Sequence, residues 1–193
     1  FNSPAGSIPG LITTIFFSFA LVIGATNVAR SAELNVRLGE DFTTLDPAFW
    51  QSGADLTMIN VLFPKLIEFK SGSDWEYELQ AAESIEQVDE LTIKFTLKPG
   101  LMWTGDYGEV TAEDVKYSYE RYIDPDLASP IIGDWLPLKE VEVLDKYNGI
   151  IHLKEPFAPI WWSTLPYSSG AIISKAATEK AGGKFTTDPG ATA

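Results

Sequence analysis

Residues 91–97 alternate strictly: Leu91, Ile93, Phe95 and Leu97 fall on one side, while Thr92, Lys94, Thr96 and Lys98 fall on the other. A period of two predicts a half-buried strand, and Pro99-Gly100 stops it. The pattern then changes in Val110-Thr-Ala-Glu-Asp-Val-Lys-Tyr-Ser-Tyr-Glu-Arg121. Thr111 is a good N-cap, Asp114 occupies the reciprocal capping position, and Glu113 and Asp114 suit the positive first turn of a helix. Val115, Ser118, Tyr119 and Tyr122 share one helical stripe. The spacing predicts a helix from Ala112 to about Tyr122 with Val115 and Tyr119 inward and Lys116 and Glu120 outward.

Around this pair the chain is punctuated. Glu33 to Leu38 alternates as a strand, and Leu45-Asp-Pro47 reads as a loop. Ala54 to Phe63 spaces Leu56, Ile59, Leu62 and Phe63 as a helix that Pro64 ends. Ser71 to Asp74 is a polar turn. Glu140 to Leu144 and Gly149 to Leu153 read as a strand pair around Asp145 to Asn148. Trp161 and Trp162 lie in a short apolar segment bounded by Pro159 and Pro166. Gly182 to Ala193 is polar and glycine-rich, with no cap or closing element.

Residues 1–29 carry no formal charge, and Leu11 to Gly24 is a compact apolar run, shorter than the ~20 residues that span a bilayer comfortably. Ala29-Arg-Ser31 offers a small-residue cleavage site before Ala32. This is the layout of a secretory signal peptide, and residues 1–31 are expected to be one.

The net charge of −13 opposes contact with nucleic-acid phosphates and anionic lipid. With no cysteine, disulfides, a thiolate nucleophile and a cysteine zinc site are excluded. The one histidine, His152, sits between Ile151 and Leu153 and reads as a partly exposed strand residue. A Ser-His-Asp arrangement would depend wholly on it. Carboxylates recur as Glu113 with Asp114, Asp124 with Asp126, and Glu140 with Glu142, so a hydrolase using a carboxylate pair is an alternative. Adjacent carboxylates point apart, however, and capping accounts for the first pair. No metal or cofactor is expected.

A binding site needs aromatic walls and a few convergent polar groups. Trp50, Gln51 and Ser52 follow a turn. Trp135 lies in Gly133-Asp-Trp-Leu-Pro137, and Tyr167, Ser168 and Ser169 follow Pro166. Each group neighbours turn residues instead of an apolar stripe, so these are the candidate ligand-binding residues, and their aromatics are expected outside the core.

Several segments, in order, resemble family 5 of the bacterial solute-binding proteins that serve ABC importers, the peptide- and nickel-binding group. Leu45-Asp-Pro47 resembles the family's early Leu-Asp/Asn-Pro turn. Asn60 to Phe69, Leu79 to Ser84, and Val88 through Trp103 resemble successive later segments, with Ile85 where the family has Trp. Val110 to Arg121 resembles its Thr-Ala-Glu-Asp-Val helix closely. Thr104 to Glu109 departs from the family pattern.

The resemblance implies an α/β, two-lobed periplasmic binding protein fold (type II-like), of which this chain holds only the N-terminal part of lobe I with its inserted subdomain. It implies residues 32–67 as the start of lobe I, 68–165 as the inserted subdomain, and 166–193 as the return toward lobe I. It also implies a monomeric periplasmic protein that binds a small solute, peptide first, and delivers it to an inner-membrane permease. Nickel chelates, opines and oligosaccharides are other family ligands. Trp50 to Ser52, Trp135 and Tyr167 to Ser169 align with cleft-lining segments. A structural or sensor module on a membrane anchor is a further alternative.

Overall fold

The computed structural model describes Arg37 and residues 39–193. The expected signal peptide and the expected strand from Glu33 to Leu38 lie outside the described residues. In chain order the elements are α1 (Gly53–Leu62), β1 (Ile67–Phe69), β2 (Tyr77–Leu79), β3 (Ala82–Asp89), β4 (Thr92–Leu97), α2 (Ala112–Glu120), β5 (Leu138–Val143), β6 (Asn148–Leu153) and α3 (Lys175–Lys180). Among the described residues, no helix is long and apolar enough to cross a membrane.

β3, β4, β6 and β5 form an antiparallel sheet in that order, and β1 pairs with β2 in a hairpin. The alternation of β4 is realised. Ile93, Phe95 and Leu97 are buried, and β4 pairs on both sides, Phe95 opposite Ile85 and Gly149. Gly149 is needed there because a Cβ would run into the Phe95 ring. The strand pair predicted around residues 145–148 is the β5–β6 hairpin.

Helix α2 packs on β5. Val115 and Tyr119 are wholly buried, as the stripe requires. Lys116 and Glu120 are not simply solvated, however. They pair at 2.7 Å, the Lys116 ammonium donates to the Val141 carbonyl at 2.8 Å, and the Glu120 carboxylate accepts from the Val141 N–H at 2.8 Å. Two helix side chains thereby satisfy an open edge of the sheet, which would otherwise present unpaired backbone groups.

Among the described residues there are two apolar cores. The larger lies between the four-stranded sheet and α2 and includes Trp103, Tyr119, Tyr122, Trp135 and Ile151. The smaller draws Leu45, Ile59 and Phe63 together with Ala171, Ile173 and Phe185. Segments far apart in sequence build it, joined by a bridge between Lys65 and Ala171 and a bond from the Ile172 N–H to the Pro64 carbonyl at 2.7 Å. The glycine-rich tail is part of this structure. Phe185 is buried against Phe63, the Thr186 carbonyl accepts from the Leu45 N–H at 2.6 Å, and Thr192 bonds to Thr104. The tail closes on partners distant in sequence, which its composition does not reveal.

Candidate functional site

The loop before α1 is shaped by one carboxylate. Ser52 caps the helix, accepting from the Asp55 N–H at 3.1 Å. Asp55 reaches back to accept from the N–H groups of Gln51 (2.9 Å), Ser52 (3.2 Å), Thr43 (2.6 Å) and Thr44 (3.1 Å). Burial opposes its ionisation, but the donors from Gln51, Thr43 and Thr44 prevail and pull its pKa down to about 2. The charged carboxylate therefore pins residues 43–44 to residues 51–52 and fixes where Gln51 projects. Asp55 was not among the predicted site residues; the Ser-x-x-Asp spacing from Ser52 to Asp55 is the signal that could have found it.

Gln51 is exposed. It lines an open hollow of about 610 Å³ with Thr43, Thr44, Phe49, Lys184 and Phe185. Trp50 is half-buried against the smaller core, and its indole N–H has no partner among the described residues. Tyr167 is exposed and does not line this hollow. Ser168 and Ser169 are wholly buried in a short 3₁₀ turn, Ser168–Gly170, that packs against α1.

Trp135 lies in the larger core and not outside it as expected. It is 1% exposed, stacks on Tyr119 with ring centroids 4.2 Å apart, and donates from its indole N–H to the Ser169 carbonyl at 2.8 Å. Its turn-like neighbours conceal this, because α2 supplies the covering ring. The Ser169 hydroxyl donates to Asp134, and the Tyr119 hydroxyl donates to the Gly170 carbonyl at 3.2 Å. Trp135 thus meets the Ser168–Gly170 turn, whereas Gln51 faces the separate hollow. Gln51 and Tyr167 present open side chains, while Trp135, Ser168 and Ser169 form the support beneath.

The α2 motif works as a joint. The Asp114 carboxylate accepts from the Thr111 N–H at 2.9 Å and the Lys175 N–H at 2.9 Å. The Ser118 hydroxyl accepts from the Ile173 N–H at 2.8 Å. Arg121 forms a bidentate pair with Asp46 at 2.6 and 2.9 Å and donates to the Gly183 carbonyl at 2.9 Å. The motif therefore ties the four-stranded sheet to residues 44–48 and 170–185. Its conspicuous polar side chains are spent on the protein's own backbone. His152 lies on the sheet, 2.9 Å from Glu142. Glu113 and Asp114 diverge, Glu113 to Lys175 and Asp114 into the cap.

The arrangement has relatives. Residues 76–192 match the model of the bacterial extracellular solute-binding proteins, family 5 Middle. The periplasmic oligopeptide-binding protein OppA of Escherichia coli K12 is 28% identical over 199 residues, covering 94% of this chain and 36% of the relative. Among solved structures, MoaA from A. tumefaciens R10 in complex with mannopinic acid is 34% identical at a TM-score of 0.69, covering 76% of this chain and 30% of that one. DppA from Helicobacter pylori in complex with the peptide STSA is 27% identical at a TM-score of 0.63, covering 75% and 32%. The chain spans about a third of the length of these relatives. Its fold is part of one lobe of the two-lobed periplasmic binding proteins. A family of binding proteins, not of enzymes, is the setting for the geometry above, and this chain belongs to the bacterial extracellular solute-binding proteins, family 5.

Proposed function

We propose that the protein carrying this chain is a periplasmic solute-binding component of an ABC importer that takes up peptides and hands them to a membrane permease. The family match over residues 76–192 carries this reading. Relatives named for oligopeptide and peptide binding support the ligand class. The protein would close two lobes over its solute, with this chain contributing part of one wall. The smaller core, built from residues 45–63 and 171–185, supports a division into a lobe I start (32–67), an inserted subdomain (68–165) and a return (166–193), behind a signal peptide at 1–31.

Gln51 and Tyr167 are the ligand-facing side chains in this reading. Trp50 and Ser52 hold the loop, and Trp135, Ser168 and Ser169 hold the turn beneath Tyr167. Backbone hydrogen bonds with roomy side-chain pockets would accommodate peptides of varied sequence. A second ligand class rests on a specific relative: the structure 34% identical to this chain holds mannopinic acid. Thermal melting of the full-length monomer with a peptide library and with mannopinic acid, followed by mass analysis of the recovered ligand, tests the proposal. Stabilisation with the ligand recovered intact supports it; cleavage of the ligand would make it a hydrolase.

A further inference from the structure

The inserted subdomain carries a row of aromatic rings of which Trp161 packs against the larger core while Trp75, Tyr77 and Trp162 stay exposed. Trp75, at the tip of the β1–β2 hairpin, is 69% exposed and meets Phe69 edge-on with ring centroids 5.6 Å apart. Phe69 is the cross-strand partner of Tyr77, so the two share a face. Tyr77 stacks on Trp161 at 5.7 Å and 21°. Trp161 is held in place by donation from its indole N–H to the Gln87 side chain at 2.9 Å. Trp162, beside it, is 52% exposed.

Two features mark this row as more than incidental exposure. Trp75 sits at φ 67°, a conformation that a bulky side chain adopts only at a cost, and its ring is exposed at the end of the row. From Tyr77 on, the rings border an open groove of about 480 Å³, with Tyr77, Trp161, Trp162 and Phe157 in its wall, and Phe69 and Trp75 continue the row beyond it. Among the described residues, Glu90 is the one carboxylate of that wall, and no lysine or arginine lines it.

From this geometry we infer that the groove is a second binding site, for an extended basic segment of a protein partner bearing arginine or lysine. Aromatic faces attract a cation through their quadrupole, arginine most often, and Glu90 supplies an opposite charge at the rim. Aromatic-lined grooves suit extended, proline-containing chain. The net charge of −13 points the same way, since it opposes a second copy of this chain, an anionic membrane and nucleic acid.

The probe is a fluorescein-labelled acetyl-(Arg-Pro)3-amide, titrated at low salt into the full-length protein and followed by anisotropy. Its counterpart carries citrulline, which keeps the shape of arginine without the charge. The site predicts saturable binding of the arginine peptide, weakened about 10-fold by Trp162→Ala and about 5-fold by Glu90→Gln. The citrulline peptide should bind about 10-fold more weakly, and Gln51→Ala should leave the affinity unchanged. Because Trp162 is half exposed, its truncation leaves the cores intact, and an unchanged melting temperature checks this. Any of four results would overturn the inference: no saturable binding, equal affinity for the citrulline peptide, displacement by a neutral hexasaccharide, or loss of binding in Gln51→Ala. The last would place the peptide at the solute site.

Discussion

Asp46 and Arg121 form a bidentate ion pair at 2.6 and 2.9 Å with both side chains out of solvent. It joins the Leu45-Asp-Pro47 turn to the end of the α2 motif. Asp46 also accepts from the Ala48 N–H at 3.0 Å, and Arg121 donates to the Gly183 carbonyl. A buried pair contributes less through its own attraction than through the penalty for stranding one partner.

Arg121→Met should therefore cost about 3–5 kcal/mol, because it leaves Asp46 charged and buried. Adding Asp46→Ala to that variant should restore part of the loss. Urea unfolding of the wild type, the two single variants and the double variant measures the coupling. Additive losses would mean that the two side chains stabilise the fold independently.

Asp55 gives the fold an acid-sensitive contact. Its folded pKa of about 2 lies below the ordinary 3.8. The stability it confers is fully present above the ordinary value and is lost as pH falls from about 4 toward 2. Asp55→Asn should destabilise the protein at neutral pH and flatten its acid unfolding limb between those values. Melting curves across that range provide the check, and an acid limb unchanged by the substitution would contradict the assignment.

Trp135 is the anchor of the larger core. Trp135→Ala should cost about 3–5 kcal/mol. Trp135→Phe, which keeps a ring on Tyr119 but loses the bond to the Ser169 carbonyl, should cost less. Chemical denaturation measures both. A Trp135→Ala variant of wild-type stability would place the ring outside the core.

Gly170 terminates the buried turn beneath Tyr167. A Cβ there would press into the Leu165 and Thr164 carbonyls, which cannot swing aside as a side chain can. Gly170→Ala should destabilise by about 1–3 kcal/mol. A melting temperature equal to wild type would show that the turn relaxes freely.

Local chemistry made the central strand and the motif helix legible. Ile93, Phe95 and Leu97 alternate because both neighbours of β4 are strands and one face meets the core. Thr111 and Asp114 announce the helix start. β3 escaped notice because it is polar and exposed along most of its length, an edge strand with no apolar alternation to read. The β1 and β2 strands and α3 are too short to establish a period. Trp135 and Phe185 were misleading for one shared reason. Their neighbours are turn formers, and the groups that bury them come from α2 and from residues 45–63. Of the candidate site, the exposure of Gln51 and Tyr167 was legible through turn chemistry. The supporting roles of Asp46 and Arg121 were not, because each depends on a partner that only the folded chain brings near; Asp55 is signalled by the Ser52-x-x-Asp55 spacing, but its reach to Thr43 and Thr44 is not.

Calorimetric titration of the full-length protein with a peptide library and mannopinic acid tests the central claim most directly. The account predicts saturable binding of one ligand per monomer. Gln51→Ala or Tyr167→Ala should weaken it by about 1–3 kcal/mol with little change in melting temperature, since both side chains are exposed. Absence of binding to any of these solutes, or binding indifferent to both substitutions, would contradict it.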